Sequence, residues 1–475
     1  MKKLLRMVLV LAVIAMSCVA FAEEAENTLA LNNGFLGKRD KLQIIGSYYV
    51  EEEFSSYGFT VTNLKNSQVL DSKTFKNDAN NHQLPLEKIN QSLSNMRYSS
   101  YGKMQIDLYI TGNQGERRVF SDTYYHLGED IERNDGRNNI SVKNNSNSAT
   151  ITRIESEISK EAWLQIKWFY PLEDASVVYY ANDKSVLRKD TLNSGFFTDL
   201  FHIPENTRYM EITSKNYLNI HHYQYTDKEP SYFMQNWQTM EGPLDILFVS
   251  THQDDEFLWF GGAIPWYASQ GYNVGVIYLA NGGVNRYHEA LNALWLAGVK
   301  NHPIFLGYVN ELPKTIEQAA KNWSYHGNMV DDLAQCILSL KPSVVVMQDL
   351  NGEYGQYQHI LGVQYLQQAI LNAMDETVQK EPWQVKKLYC HLYETNPILI
   401  DWEEKIMPGW NGANALQVAT ACYECNVSQL DYYSMENDGV LYDNRKFGLM
   451  FSYVGDDVLK NDFMENIVPV QKNAQ

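Results

Sequence analysis

Two hydrophobic patterns divide the chain. From residue 24 to about residue 237, apolar and polar residues alternate in short runs such as KLQIIGSYYV, KMQIDLYITG and WLQIKWFY. These runs are rich in β-branched and aromatic residues, and Asn, Asp, Gly and Ser separate them. Alternation of this kind predicts strands. The first half is therefore predicted to be a β-rich, β-sandwich-like region.

One polar stretch divides this region. Residues 133–148, RNDGRNNISVKNNSNS, are dominated by turn-forming residues and contain little apolar sequence. Such a stretch is typical of a break between folded units. We therefore predict two β-rich modules, at residues 23–148 and 149–237.

The period changes at about residue 242. Short apolar runs, LDILFVS, NVGVIYLA, PIFLGY and SVVVMQD, alternate with helical patterns at 286–297, 326–340 and 357–374. Strands that alternate with helices indicate a parallel sheet, because parallel neighbours need crossover connections. The fold class predicted for residues 242–475 is α/β, with a Rossmann-like, mostly parallel sheet and helices on both faces.

The first 22 residues have the pattern of a signal peptide. Lys2, Lys3 and Arg6 precede an apolar run, and the small residues of Ala20-Phe21-Ala22 fit a cleavage site. We predict cleavage after Ala22 and export to the cell envelope or the medium. Lipidation at Cys18 is the weaker alternative. No later segment has the pattern of a transmembrane helix.

Composition and charge narrow the range of partners. A hydrophobic content of 44% with 20% charged residues is typical of a globular protein. The formal net charge of −18 disfavours nucleic acid and anionic membranes as partners. Neutral carbohydrate is not disfavoured by this charge.

Polar residues interrupt the apolar pattern where the first strand of the α/β region ends. The stretch FVSTHQDDEFLWFGG places His252, Asp254, Asp255 and Glu256 between a predicted strand and a predicted helix. The carboxyl ends of strands in such a sheet are where ligands bind. Three consecutive carboxylates repel one another, so a cation is expected among them.

Two further polar stretches follow predicted strands of the same sheet. LANGGVNRYHEA contains Arg286 and Glu289, and MQDLNGEYGQYQHILG contains Asp349 and His359. Two imidazoles and one carboxylate form the ligand set of a catalytic zinc site. His252 and Asp255 are three residues apart and can share an ion. His359 can complete this set, which leaves Asp254 free to accept a proton.

These motifs resemble those of a known family. STHQDDEFLWFGG is similar to the A-H-P-D-D-E signature of the PIG-L or LmbE-like zinc-dependent N-acetylglucosaminyl deacetylases. QDLNGEYGQYQHILG is similar to the second motif, D-P-N-G-E-Y-G-H-x-x-H, and the intervening stretch resembles the family's Arg-x-x-Glu helix. The resemblance covers residues 243 to about 430.

The resemblance implies roles for individual residues. One Zn²⁺ per chain is expected, and Asp254 is expected to act as general base. The residues implied, in order of role, are the zinc ligands His252, Asp255 and His359, the substrate-pocket residues Arg286 and Glu289, and Tyr354 near the reacting carbonyl. Gln356 replaces a family histidine that stabilises the oxyanion, and it retains an amide donor.

Several polar residues near these motifs have a possible structural role as well as a functional one. Asp349 is expected either to cap its own loop or to support a metal ligand from behind, and Glu256 and Glu353 are expected either to support the ligands in this way or to be plain pocket residues. Arg286 and Glu289 have an alternative as a surface ion pair. His221 and His222 are not expected to be ligands. Cys422 and Cys425 fall in a predicted helix at about 413–430 and indicate either packing or a disulfide.

The function predicted from these observations is that of a metal-dependent amidohydrolase. The exported enzyme removes N-acetyl groups from N-acetylglucosamine-containing glycans or glycoconjugates, with attack by a metal-bound water on the acetamide. The first alternative is a catalytically impaired surface carbohydrate-binding protein with a retained metal site. A second alternative is the same chemistry on another acylated or antibiotic-like glycan.

Overall fold

The structure is a computed structural model. The residues that it describes are 28–36, 41–49, 54–63, 67–76, 83–92, 102–112, 114–115, 117–126, 140–153, 158–193, 195–226, 234–407, 414–426, 428–430, 432–433, 435 and 441–470. The predicted signal peptide and Cys18 lie outside these residues, as do residues 133–139 of the predicted break, whereas its remaining residues, 140–148, contain the strand Ile140–Asn144 and the first residue of the strand Ser148–Arg153. Among the described residues, no helix combines the length and the apolar character needed to span a bilayer.

The N-terminal half consists of strands, as its alternating pattern predicts. Their bounds are β1 (Thr28–Leu36), β2 (Lys41–Tyr49), β3 (Phe54–Asn63), β4 (Gln68–Lys76), β5 (Gln83–Ser92), β6 (Gly102–Gly112), β7 (Arg117–His126), β8 (Ile140–Asn144), β9 (Ser148–Arg153), β10 (Ala162–Trp168), β11 (Ser176–Tyr180), β12 (Val186–Thr191), β13 (Thr198–Ile203), β14 (Tyr209–Thr213) and β15 (Ile220–Thr226).

These strands form four antiparallel sheets, with the orders β1-β2-β5, β4-β3-β6-β7, β12-β11-β14-β9-β8 and β13-β10-β15. The last two sheets share one hydrophobic cluster, in which Ile151 and Val177 of the first join Leu164 and Tyr223 of the second. The β-rich character of the region is confirmed. Its sandwich-like arrangement and the module boundaries stay predictions.

The C-terminal half alternates strands and helices. Its strands are β16 (Ile246–Ser250), β17 (Val274–Asn281), β18 (Ile304–Val309), β19 (Val344–Met347), β20 (Lys387–His391), β21 (Pro397–Leu399) and β22 (Lys446–Ser452). Its helices are α1 (Asp255–Leu258), α2 (Ala263–Ser269), α3 (Val284–Leu296), α4 (Ile316–Ser324), α5 (Met329–Leu340), α6 (Gly352–Gly355), α7 (Tyr357–Met374) and α8 (Ala415–Tyr423).

These strands form a seven-stranded sheet with the order β18-β17-β16-β19-β20-β22-β21. The pairs from β18 to β20 are parallel, and β22 is antiparallel to both of its neighbours. All residues of β16, β19 and β20 are buried, as expected for central strands covered on both faces. The predicted mostly parallel sheet is confirmed.

Helices cover both faces of this sheet. Ile246 and Phe248 of β16 belong to a hydrophobic cluster with α2, α3 and α8. Leu247 and Val249, which point to the opposite face, belong to a second cluster with α4, α5 and α7. Alternate residues of one buried strand thus serve two separate cores.

Two of the predicted helices differ from those in the structure. The predicted helix after His252 is divided into α1 and α2 at Gly261, which has a positive φ of +53°. A side chain at Gly261 would collide with Trp402 and Asn444, so close packing requires glycine here. The helix predicted at 413–430 is also shorter, because α8 ends at Tyr423.

The two halves contact each other through α3. The ring of Tyr287 lies 4.6 Å from that of Phe197, measured between centroids. Lys167 Nζ donates a 2.7 Å hydrogen bond to Asn292 Oδ1, and His288 Nε2 lies 2.8 Å from the carbonyl oxygen of Trp168. One face of α3 is therefore covered by the β-rich region.

Candidate metal centre and active site

The order of the strands brings the two predicted motifs together. The first motif follows β16 and the second follows β19, and these strands are adjacent and parallel. The chain continues from β16 to β17 on one side, whereas β19 lies on the other. Loops that leave neighbouring strands in opposite directions open a crevice at the carboxyl edge of the sheet, where ligands bind.

His252, Asp255 and His359 converge in this crevice and are called the metal trio below. His252 Nδ1 lies 3.0 Å from His359 Nε2. Asp255 Oδ2 lies 3.2 Å from each of these nitrogens. All three residues are buried. Within the described part of the chain, this is the set of three His, Cys, Asp or Glu residues whose ligand atoms lie close enough to share an ion.

The spacing of the metal trio fits zinc. Ligands about 2.0–2.1 Å from a tetrahedral zinc ion lie roughly 3.3 Å from one another. The three observed separations are within a few tenths of an ångström of this value. Two imidazoles with one carboxylate also leave a coordination position for water, as catalytic zinc sites do.

The hydrogen bonds of both histidines leave the correct nitrogens free to bind a metal. Gln358 Oε1 lies 3.2 Å from His252 Nε2, and the amide of Gln358 is itself fixed by donation to the Val309 carbonyl. An amide oxygen only accepts, so His252 carries its proton on Nε2 and its lone pair on Nδ1. Glu353 Oε2, 2.9 Å from His359 Nδ1, fixes His359 in the same way.

Asp255 is also held from behind. Trp259 Nε1 donates a 2.8 Å hydrogen bond to Asp255 Oδ1, and the backbone N–H of His252 donates to Oδ2 at 2.7 Å. These bonds orient the carboxylate before any ion arrives. Each of the three candidate ligands therefore has a fixed orientation.

Charge and burial set the protonation of the metal trio. Burial alone would lower the pKa of His359, but the carboxylates of Asp255 and Glu353 outweigh this effect and raise its pKa to about 10. Burial raises the pKa of Asp255, yet the two histidines hold it well below its ordinary value. Burial lowers the pKa of His252. In the absence of a metal, His359 therefore carries an extra proton, which a bound metal would displace.

Asp254, the predicted general base, is paired with Arg286. Arg286 Nη2 donates a 2.7 Å hydrogen bond to Asp254 Oδ1 and a second, shorter one to the Gln253 carbonyl. Burial raises the pKa of Asp254 well above its ordinary value, and Arg286 opposes that shift. Asp254 also has a positive φ of 121°, a strained conformation of the kind that clusters at functional sites.

Arg286 and Glu289, predicted to line the substrate pocket, have protein partners in the structure. Arg286 contacts Asp254, as described above. Glu289 accepts hydrogen bonds from the backbone nitrogen and the hydroxyl of Ser428, at 3.0 and 2.6 Å. Only 4% of Glu289 is exposed, so the alternative of a surface ion pair between the two residues is wrong. Their contacts with substrate stay predictions.

Gln356 begins α7, the helix that carries His359. Its Oε1 accepts hydrogen bonds from the backbone nitrogens of Gln358 at 2.5 Å and His359 at 2.9 Å. Its oxygen is thus committed to capping the helix, and only the amide nitrogen is left for the predicted oxyanion role. Tyr354 lies nearby, with its ring centroid 5.7 Å from that of His359.

Glu353, rather than Asp349 or Glu256, supports the metal trio. Glu256 accepts from the backbone nitrogen of Asp254 at 2.8 Å, and burial raises its pKa to about 7. The side chain of Asp349 accepts a long, 3.5 Å bond from Asn351. Glu353 lies in the second motif, so the sequence offered a signal for it.

His391 is a further residue at the site that the sequence did not indicate. Its Nδ1 lies 3.3 Å from Glu353 Oε1, and its Nε2 lies 3.2 Å from the Asp443 carbonyl. It belongs to β20, which has no recognisable motif. Hydrogen bonds from His359 and His391 outweigh burial and lower the pKa of Glu353.

The remaining predictions concern residues outside the metal trio. His221 packs against His288, with ring centroids 5.0 Å apart, and takes no part in the site. Cys422 and Cys425 form no disulfide and are both buried, and Cys425 Sγ donates to the Ala421 carbonyl at 3.7 Å, so packing rather than a disulfide describes them.

Comparison with known proteins gives matches in the C-terminal half. Residues 247–370 match the family model described as PIG-L: GlcNAc-PI de-N-acetylase. A protein of Nocardiopsis dassonvillei named 1D-myo-inositol 2-acetamido-2-deoxy-alpha-D-glucopyranoside deacetylase is 27% identical over 172 residues, which cover 30% of this chain and 61% of the relative. A protein of the same name from Thermobifida fusca is 27% identical over 178 residues, which cover 30% of this chain and 60% of the relative.

Solved structures give a weaker likeness. The N,N'-diacetylchitobiose deacetylase from Pyrococcus horikoshii is 14% identical with a TM-score of 0.30, over 39% of this chain and 70% of that chain. The chain spans about 60% of the length of the two curated relatives. The family match covers the site motifs after β16, β17 and β19. The resemblance inferred from those motifs is confirmed, and residues 247–370 form a PIG-L family domain.

Proposed function

We propose that this protein is an exported, zinc-dependent hydrolase that removes the acetyl group from N-acetylglucosamine-containing glycans. The observation that carries the proposal is the convergence of the metal trio beside Asp254 within a PIG-L family domain. The names of the curated relatives, deacetylases of a 2-acetamido-2-deoxy-glucopyranoside, support the same reaction and the same kind of sugar. Export rests on the signal-peptide pattern of residues 1–22.

His252, Asp255 and His359 would hold the zinc ion. When bound, zinc supplies Lewis-acid chemistry, which lowers the pKa of a water to roughly 7 and polarises a carbonyl oxygen. Glu353, Gln358 and Trp259 keep the three ligands in the orientation described above. Several buried polar contacts therefore serve to orient the ligands of this one site.

Asp254 moves the proton in this proposal. As general base it takes a proton from the attacking water, and as general acid it returns that proton to the leaving amine. Its burial favours the protonated form, which suits a group that must hold a proton between two steps. Arg286 fixes the carboxylate and opposes the effect of burial on its pKa, which favours the ionised form that the first step requires.

Tyr354 and Gln356 are the candidates for donating to the carbonyl oxygen as charge develops on it. Loss of one such donor costs about a hundred- to a thousandfold in rate. The Tyr354 hydroxyl is an unambiguous donor, and burial raises its pKa far above neutrality, so it stays protonated. Gln356 has only its amide nitrogen to offer, because its oxygen caps α7.

The alternative of a carbohydrate-binding protein without turnover rests on the replacement of histidine by Gln356. The same experiment decides between the two. Acetate release is measured from N,N'-diacetylchitobiose and other N-acetylated glycans, for zinc-loaded protein, chelator-treated protein and Asp254→Asn. Asp456→Asn, which changes an exposed carboxylate, serves as the control.

We expect the zinc-loaded protein to release acetate, chelation to abolish release and added zinc to restore it. Asp254→Asn should lower the rate at least about a hundredfold while the zinc content stays at one per chain. Asp456→Asn should behave as the wild type. Full activity of Asp254→Asn would refute its role as base, and absence of acetate release from every glycan would favour the binding protein.

A further inference from the structure

A second tyrosine lies beside Tyr354, on the side away from the metal trio, and it comes from a distant part of the chain. The ring of Tyr433 stacks on that of Tyr354, with centroids 5.5 Å apart and planes at 24°. The two hydroxyls are 3.2 Å apart and hydrogen-bonded. Because Tyr354 itself packs against His359, Tyr433 is the second aromatic ring outward from the metal trio.

Both rings retain a large accessible surface. Tyr354 is 42% exposed and Tyr433 is 39% exposed, although the metal trio beside Tyr354 is buried. If the two stacked rings served only as packing, most of their surface would be buried. A partly open pair of rings beside buried polar groups is typical of a binding site, where aromatic walls surround a few polar contacts.

The segment that carries Tyr433 is anchored at both ends of its described part. We call residues 428–430, 432 and 433 the rim segment. At its start, the backbone nitrogen and hydroxyl of Ser428 donate to the buried carboxylate of Glu289 on α3. At its end, the Tyr423 hydroxyl of α8 donates a 2.7 Å hydrogen bond to the Tyr433 carbonyl. Tyr433 is therefore held in place before a ligand binds.

The chemistry of this pair selects one class of ligand. A tyrosine presents an apolar ring and a hydroxyl at its edge. A pyranose ring has a matching form, because its axial C–H groups make an apolar face and its hydroxyls make a polar rim. The net charge of −18 further favours a neutral ligand over an anionic one.

We propose that Tyr433 is a specificity-determining residue, which stacks with Tyr354 against a neutral pyranose ring of the substrate. Glu289 is then a positioning residue, since it acts on the sugar through Ser428 and Tyr433 rather than by contact. This inference rests on the proposed deacetylase function and adds to it the requirement for an intact sugar ring beside the acetamide.

The test is direct binding of N,N'-diacetylchitobiose to zinc-loaded protein carrying Asp254→Asn, in which turnover is expected to be at least about a hundredfold slower. Dissociation constants are measured by calorimetry with the further changes Tyr433→Ala, Tyr433→Phe and Tyr432→Ala. Tyr432 is the matched control, because it is the adjacent tyrosine and is 72% exposed. Zinc content and thermal midpoint are recorded for every variant, which separates loss of binding from loss of folding.

We expect Tyr433→Ala to weaken binding about tenfold, the upper end of what one aromatic stacking contact contributes. Tyr433→Phe should recover most of the loss because it retains the ring. Tyr432→Ala should bind as the parent protein does. Equal weakening by Tyr432→Ala, unchanged binding in Tyr433→Ala, or no binding to the parent protein would overturn the proposal.

The role of Glu289 is tested through its partner. Ser428→Ala removes one of the two bonds to Glu289 and should weaken binding about threefold. If that bond acts through Tyr433, the double change Ser428→Ala with Tyr433→Ala should bind no more weakly than Tyr433→Ala alone. Additive losses would refute the positioning role. Because this test measures binding rather than turnover, a failure of the deacetylase function itself appears separately, as absent acetate release in the wild type.

Discussion

Glu353 controls the orientation of His359 at the level of single residues. Its carboxylate accepts from His359 on one oxygen and faces His391 on the other. The backbone of Glu353 has a positive φ of 57°, which is costly for a residue that is not glycine. Strain of this kind persists only where surrounding contacts compensate for it, and here the two histidines provide those contacts.

Removing the charge of Glu353 should weaken zinc binding. Glu353→Gln leaves an amide that no longer attracts the Nδ1 proton of His359 as strongly, so the opposite nitrogen becomes a poorer ligand. We expect the zinc affinity to fall about 10- to 100-fold, measured by competition with a chelator. Asp349→Asn is the control, because the Asp349 side chain has no hydrogen bond to the metal trio. An equal effect of both changes would contradict the assignment.

Zinc binding should also release a proton. In the metal-free protein the pKa of His359 is raised to about 10, so this residue is protonated at neutral pH. A metal ligand must be deprotonated, and zinc affinity should therefore fall about tenfold for each unit by which the pH drops below 10. Calorimetric titration of zinc in two buffers of different ionisation enthalpy measures the released proton. A heat that is independent of the buffer would show that His359 binds zinc without losing a proton.

At the scale of elements, the start of α7 connects helix stability to the site. Gln356 caps the first turn of this helix, and His359 lies in that same turn. Gln356 thus has a structural role that its position in the second motif does not indicate. His359 is three residues after this cap, so the cap helps to place the His359 ring in contact with His252.

Loss of this cap should be measurable in the stability of the protein. Gln356→Ala leaves two backbone nitrogens without their acceptor and should lower the free energy of unfolding by about 1 kcal/mol, measured with urea. Gln364→Ala, on the exposed face of the same helix, should change it by no more than about 0.5 kcal/mol. Zinc affinity should fall in the first variant alone, because the cap also positions His359.

At the scale of the whole molecule, the β-rich region covers one face of α3, and α3 carries both Arg286 and Glu289. Phe197 contacts Tyr287 on α3 and Phe305 on β18, with centroid distances of 4.6 and 5.5 Å. The opposite side of α3 faces the site through Arg286. The two halves of the chain are thus connected through the helix that fixes Asp254.

Disruption of this contact should weaken both halves together. Phe197→Ala removes a ring that is 6% exposed and should lower the free energy of unfolding by about 3–5 kcal/mol. Tyr170→Ala, which changes a ring that is 57% exposed in the same region, should have little effect. Urea unfolding followed by tryptophan fluorescence measures both. A loss confined to Phe197→Ala supports the contact, and equal small effects would refute it.

The sequence by itself determined the elements and the composition of the candidate site. Strands β16 to β19 were predicted from apolar runs, and α7 was predicted with the bounds that the structure gives. His252, Asp255 and His359 were predicted as ligands because they lie in polar stretches that follow strands, form a zinc ligand set and match the motifs of the PIG-L family. The type and position of a strand or helix depend on residues that are close together in the chain. The hydrophobic period and the turn-forming residues therefore predict them directly.

Tertiary structure alone decided which groups are partners within the site. Arg286 pairs with Asp254 across 32 residues, Glu353 meets His391 across 38, and Tyr354 meets Tyr433 across 79. Glu289 and Ser428 are 139 residues apart. These contacts depend on the order of strands in the sheet and on the paths of the loops. The hydrophobic periodicity of a segment encodes neither the strand order nor the loop paths. Each of these contacts results from the packing of segments that are far apart in the sequence.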